Sequence, residues 1–306
     1  MTPATPIEAT NRTGVGDTRE GFLFALSAYL LWGFLPLYMK AVAYMPAAEV
    51  VAHRIVWSVP IAGAILLWLG RTADLKRALR SPRTLAQAGL AASVITVNWG
   101  FYVWAISVGR TVETALGYYI NPLFSIFLAA VLLGERLSRL QWAAVALAAS
   151  AVAFLTWQVG SLPWVSLSLT VSWGFYALLK KTLPVGPNQG FFLEVLLLSV
   201  PASLYIVYLE FAGQGHFVNG TWADTGLLAI AGAVTAIPLM LYANGAKLLR
   251  LSTIGIMQYI APTIIFLIAV FGFGEPFDSA RLFAFVLIWA SLALYSLSLY
   301  RGRKQG

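Results

Sequence analysis

The chain has 306 residues, of which 59% are hydrophobic and only 10% charged, against about a quarter charged in soluble domains. Apolar surface on that scale finds no refuge in one aqueous globule, because the gain of about 25 cal/mol per Å² requires an apolar neighbour on every side. A bilayer supplies such neighbours, and the composition excludes an ordinary soluble enzyme or nucleic-acid-binding domain. Cysteine is absent and histidine occurs twice, at His53 and His216, so no thiolate or histidine metal site is expected and no cofactor is implied.

Residues 1–20 are polar and Thr-rich and are expected to form a disordered cytoplasmic tail. Apolar runs of about 20 residues then follow one another, each able to cross about 30 Å of hydrocarbon as helix. They predict spans over 22–40, 50–69, 84–107, 112–133, 138–157, 162–180, 189–209, 224–247, 252–273 and 279–300. The fold class is therefore an all-α integral membrane protein of ten helices. Apolar and polar residues do not alternate as a membrane barrel needs.

Lys and Arg in the connections set the orientation. With the N-terminus inside, the cytoplasmic segments carry Arg12 and Arg19, then Arg71, Lys76, Arg77, Arg80 and Arg83. Further along they carry Arg136 and Arg139, Lys180 and Lys181, Lys247 and Arg250, and a basic tail over 301–306 with Arg301, Arg303 and Lys304. These are 16 of the 20 basic residues. The net charge of +8 thus reads as a topology signal and not as a nucleic-acid footprint. A multi-pass protein of the bacterial inner membrane with both termini cytoplasmic is the expectation.

The chain also repeats itself. Ser58-Val59-Pro60 recurs 141 residues later as Ser199-Val200-Pro201, and Trp32-Gly33-Phe34 meets Trp173-Gly174-Phe175 at the same offset. At an offset of 140, Tyr102 meets Tyr242, Tyr119-Ile120 meets Tyr259-Ile260, Pro122 meets Pro262 and Gly134-Glu135 meets Gly274-Glu275. Two repeats over 21–159 and 160–300 follow, each of five spans. An odd number of spans turns the second repeat upside down, the architecture of alternating-access carriers with a site between the halves.

Several blocks carry a family likeness: Trp32-Gly33, His53-Arg54-Ile55-Val56-Trp57-Ser58, Asn98-Trp99, and Leu116-Gly117-Tyr118-Tyr119-Ile120-Asn121-Pro122-Leu123. Ser252-Thr253, Gln258-Tyr259-Ile260 and Pro262-Thr263 continue it in the second half. Together they resemble the drug/metabolite transporter superfamily, and within it the EamA-type RarD subfamily of chloramphenicol-sensitivity proteins. The resemblance covers roughly 20–300 and implies an inner-membrane carrier of two fused five-helix halves. Ala115 and Ala261 depart from it, standing where Ser and Gly are expected.

Ionisable groups within spans are expensive and usually face a cavity or a partner. His53 and Glu194 are repeat mates and are expected on mirrored sides of a central cavity, with Glu194 a candidate for proton coupling; snorkelling to the interface is the plainer alternative. Arg54 could bind a substrate carboxylate or phosphate, but a pair with Glu49, five residues back, is the expectation. Lys40 and Lys181 end mated spans and read as gates or as topology determinants. Trp99, Tyr102, Trp104, Tyr118, Tyr119, Trp173, Tyr176, Tyr242 and Tyr259 would make an aromatic cavity suited to flat amphipathic molecules. Asn98, Asn121 and Gln258 are amides that would orient a substrate or bond between helices. Pro36, Pro122, Pro238 and Pro262 are candidate hinges. The expected activity is export of small metabolites or amphipathic drugs, with facilitated uniport as the rival mechanism. Membrane lipid, a small-molecule substrate and protons are the expected partners. A membrane enzyme would gather acids or histidines at one face, and here they are scattered.

Overall fold

A computed structural model of the chain describes residues 18–70, 72–133, 137–245, 248–249, 253–254 and 257–303. In chain order the helices are α1 (Arg19–Ala41), α2 (Ala47–Trp68), a short α3 (Ala73–Leu79), α4 (Pro82–Ser107), α5 (Thr111–Leu133) and α6 (Arg139–Val159). There follow α7 (Trp164–Thr182), α8 (Pro187–Phe211), α9 (Trp222–Gly245), α10 (Ile260–Leu267) with a π-helical continuation Ile268–Gly272, and α11 (Ser279–Arg303). No strand occurs among the described residues. The N-terminal tail expected over 1–20 lies mostly outside them.

The helix ends obey local rules. Thr18 caps α1 by accepting from Gly21 N at 3.0 Å, which satisfies one of the amides that a helix start leaves open. Ser138 and Gln141 form a reciprocal capping box at the start of α6. Gly160 ends that helix at φ 72°, a backbone state that glycine reaches without a side-chain penalty.

Among the described residues, eight helices are long and apolar enough to cross a membrane: α1, α2, α4, α5, α6, α8, α9 and α11. The two weaker ones have visible reasons. In α7 the hydroxyls that dilute its apolar character are spent on neighbours: Ser166 donates to Glu113 O at 2.7 Å and Thr170 to Gly117 O at 2.9 Å, both on α5. Such bonds hold helices together where lipid removes the hydrophobic drive. The span expected over 252–273 is interrupted, because Gln258 and Tyr259 form a turn and the continuous helix begins only at Ile260. Pro262 therefore falls in the first turn of α10, where an N–H would have no intrahelical acceptor. Pro36, Pro122 and Pro238 do lie inside α1, α5 and α9, and so do Pro60 and Pro201 inside α2 and α8. The short α3 sits in a stretch read from sequence only as a basic connection; its Ala78 packs with Ala88, Leu183 and Leu193.

Packing runs mainly between the two halves of the chain. Helix α2 lies against α8 and α9, α5 against α7, α1 against α9 and α10, α4 against α7 and α8, and α6 against α11. Small residues allow the close approaches: buried Ala144, Ala148 and Ala151 of α6 meet Ala284, Phe285 and Ile288 of α11. Tightest is Gly232 of α9, where an added Cβ would stand 2.1 Å from the Trp57 carbonyl carbon of α2. Backbone cannot yield there as a side chain would, and forced overpacking costs about 1–3 kcal/mol. Gly232→Ala is expected to lower the melting temperature in detergent clearly. Gly100→Ala, with nothing within 4 Å, should leave it unchanged or higher.

Candidate functional site

Seven helices enclose a cavity of about 130 Å³, room for roughly ten water-sized molecules at about 10–15 Å³ each on that measure. Its walls are Tyr29, Trp32 and Leu35 of α1, Arg54 of α2, Asn98, Trp99 and Tyr102 of α4, and Tyr118 and Asn121 of α5. The other half contributes Trp173 of α7, Thr235, Leu239 and Tyr242 of α9, Gln258, and Ala261, Pro262 and Ile265 of α10.

The aromatic lining is continuous. Tyr29 meets Tyr242 at 5.9 Å between ring centroids, Tyr242 meets Trp32 at 5.5 Å and Trp32 meets Trp173 at 6.5 Å. Trp173 meets Tyr118 at 6.3 Å, and Tyr118 meets Tyr102 at 5.7 Å. These spacings fall in the range of edge and offset contacts that hold aromatic rings in place.

Polar groups are few and buried. Arg54 is 3% exposed; its Nε donates to Thr235 Oγ1 at 2.9 Å and its guanidinium lies 4.8 Å from the Trp99 ring centroid. Asn98 donates Nδ2 to Leu169 O at 3.0 Å and to Ser172 Oγ at 2.8 Å. Since Leu169 O can only accept, the orientation of that amide is fixed, with Oδ1 as its free end. Arg54 Nη1, Asn98 Oδ1, Asn121 Oδ1 and Tyr102 Oη have no hydrogen-bond partner among the described residues. Buried polar atoms are usually paired, so four orphans around one cavity mark a site.

The expected pair of Arg54 with Glu49 is not formed. On a helix, five residues turn the chain by about 140°, so the two side chains leave α2 on different faces. Glu49 instead accepts the His216 backbone N–H at 2.6 Å and stands 2.7 Å from its Nδ1. His53 and Glu194 do not flank the cavity either. His53 sits beside the cavity-lining Arg54 on α2, and α8, which carries Glu194, contributes no wall residue. His53 stacks on Phe217 at 5.0 Å. Glu194 takes Lys180 at 2.8 Å and the Tyr176 hydroxyl at 2.9 Å, which places Tyr176 with it and away from the cavity walls. Tyr119 and Tyr259 line a separate hollow with Thr263 and Trp289, and Tyr119 Oη lies 2.6 Å from Thr263 Oγ1. Lys40 reaches over the Phe273 ring at 5.4 Å; the side chain of Lys181 lies outside the described residues.

Trp99, Tyr102, Trp173, Tyr242, Asn98, Asn121 and Gln258 do come together around Arg54. Sequence reading passed over Tyr29, Leu35, Thr235 and Leu239. It also left a signal unused: Trp32 with Trp173, Tyr102 with Tyr242, Tyr118 with Gln258 and Asn121 with Ala261 are repeat mates, and all eight line the one cavity.

At the end of the bundle that holds the α1–α2, α4–α5, α8–α9 and α10–α11 connections, the halves are tied together. Glu275 accepts the Thr111 and Val112 backbone N–H groups at 2.7 and 2.8 Å, capping α5 from across the protein. The Tyr44 hydroxyl donates to Asp224, which raises the Tyr44 pKa above its ordinary value, and Glu49 holds His216 as above.

Comparison with known proteins gives consistent relatives. The EamA-like transporter family matches residues 19–157. An uncharacterised transporter of Pseudomonas aeruginosa is 41% identical, over 94% of this chain and 97% of its own length. Protein RarD of Salmonella typhi is 38% identical over 94% and 99%. The chloramphenicol-sensitive protein RarD of Pseudomonas aeruginosa is 31% identical over 90% and 93%. A crystal structure 21% identical in sequence superposes with a TM-score of 0.59, over 90% of this chain and 97% of that one, and so shares the fold.

The cross-protein cap makes a direct prediction. In Glu275→Gln one carboxylate oxygen becomes a donor facing another donor, and losing a cap of this kind costs about 0.5–2 kcal/mol. A lowered melting temperature is expected. Glu113→Gln, which disturbs only the partly exposed pair with Arg110, is expected to change it much less.

Proposed function

We propose that this chain, which belongs to the EamA-like transporter family and to its RarD branch, is a secondary carrier exporting small metabolites or amphipathic drugs by alternating access. A membrane transporter it is by kinship with full-length relatives named as such. The finer reading rests on one observation, the four pairs of repeat mates that face a single aromatic cavity between the halves. Side chains related by an approximate twofold axis converge in this way when the halves are inverted copies, and a site at that axis is shared by both.

In this reading α7 and α10 complete ten spans with the eight long helices, as two five-helix repeats over 21–159 and 160–300, with a cytoplasmic tail at 1–20 and another at 301–306. Helix pairings agree with the exchange of halves: α1 with α9 answers α7 with α4, and α2 with α9 answers α8 with α4. The basic connections favour the bacterial inner membrane with both termini cytoplasmic. The ties through Glu275, Glu49 and Tyr44 then lie on the outer side, where Lys40 stands as a gate residue with Lys181 as its inner counterpart. The cycle parts that seam while bending at Pro36, Pro122 and Pro238. Chloramphenicol enters the reading as a probe through the printed name of one relative.

Glu194 remains the candidate for proton coupling, as a buried acidic residue about two turns into α8. Its engagement by Lys180 and Tyr176, away from the cavity, favours facilitated uniport as a second reading. Counterflow of radiolabelled chloramphenicol into proteoliposomes is expected to exceed that of protein-free vesicles. Rates no higher than in protein-free vesicles, for chloramphenicol and for every member of a panel of amphipathic aromatics, would contradict carriage. Uniport predicts the same rate within about twofold with and without a pH gradient, whereas coupling through Glu194 predicts gradient dependence that Glu194→Gln abolishes.

A further inference from the structure

We propose that the cavity selects organic monoanions, namely an aromatic carboxylate that also bears a hydroxyl or N–H donor, held with its carboxylate on Arg54. The proposal rests on the carrier reading and names the charge class of its substrate. A guanidinium withdrawn from water loses several kcal/mol of hydration unless something compensates. Here the compensation is incomplete. Thr235 takes Nε and Trp99 offers its ring face, a favourable seat for a cation, but Nη1 is left bare. No described carboxylate forms an ion pair with Arg54, so the cavity carries one uncompensated positive charge.

An Arg kept without an internal partner inside a membrane protein is matched to a partner that comes and goes. Guanidinium geometry favours a planar carboxylate that takes two parallel N–H bonds. The remaining orphans define the rest of the ligand. Asn98 Oδ1 accepts only, so it calls for a donor on the ligand, and the Asn121 amide and Tyr102 Oη complete the polar end. The aromatic walls take the ring. A ligand with a single negative charge cancels that of Arg54, whereas a zwitterion brings in an ammonium that meets no described acid in the cavity.

The test needs no variant to begin with. Calorimetric titration of the purified protein at pH 7 with 4-hydroxyphenylacetate and with 4-hydroxyphenylacetamide compares ligands that differ in charge but scarcely in shape. The acid is expected to bind at least tenfold more tightly than the amide, and tyrosine, the zwitterion with the same ring, at least tenfold more weakly than the acid. Arg54→Gln is expected to remove the preference for acid over amide, while Thr235→Val, which frees Nε but keeps the charge, is expected to retain it. Equal binding of acid and amide, absence of binding by both, tighter binding of tyrosine, or a preference that survives in a folded Arg54→Gln protein would overturn the assignment. Flux of neutral chloramphenicol in proteoliposomes reads the carrier function separately, so an active carrier indifferent to ligand charge would sink this proposal and leave that function standing.

Discussion

A buried guanidinium is the constraint around which the interior is arranged. Arg54 stands about two turns into α2 and cannot reach water by extending along the helix, so its surroundings must answer its charge. Thr235 from the other half of the chain and Trp99 from α4 do so in part. That contact also fixes α2 against α9, where Gly232 lets the backbones close up. The polar site and the tightest helix crossing are therefore parts of one interface. Widening the crossing would pull Thr235 off the guanidinium, and neutralising Arg54 would leave the Thr235 hydroxyl with a changed partner.

The rest of the bundle is held by means suited to lipid. Apolar side chains gain little by leaving a hydrocarbon solvent for a hydrocarbon interior, so association depends on close packing and on hydrogen bonds between helices. Alanines seat α6 on α11, and the hydroxyls of α7 bond to carbonyls of α5. The Glu275 carboxylate does at one end of the protein what a side-chain cap does within a helix. Contacts of this kind are local and directional. The α6–α11 contact, by comparison, is one of packed alanines.

Eight helices of spanning length were legible because hydrocarbon thickness imposes a length that few other structures need. A repeat is suggested by tryptophan, tyrosine and proline that recur at a fixed offset in a background of leucine and alanine. Which face of each helix looks inward was harder to read. In water a polar face marks the outside, but lipid-facing and core-facing residues here are alike apolar, so Tyr29 and Leu35 gave no sign of lining a cavity. Glu49 and Arg54 illustrate the opposite case. Their opposite charges suggested a pair, yet the helical rotation over five residues separates them, and the loop bearing His216 supplies Glu49 with a closer partner. The late start of α10 was hidden because its residues are as apolar as those of a full span; only the turn at Gln258 and Tyr259 makes Pro262 part of a first turn. The weakness of α7 carried information of its own, since Ser166 and Thr170 are among the groups that tie the two halves together.

The natural chain has no cysteine, so single cysteines report their surroundings without background. The central claim is that both halves face one water-accessible cavity. Leu35→Cys in α1 and Leu239→Cys in α9 line that cavity, while Leu31→Cys and Ile237→Cys lie on the exposed outer faces of the same two helices. A membrane-impermeant, negatively charged thiol reagent applied to both sides of open membrane fragments is expected to modify the first two positions and to spare the lipid-facing pair. Modification of the outer positions as fast as the inner ones, or of the cavity position in only one half, would contradict a pocket shared between the halves.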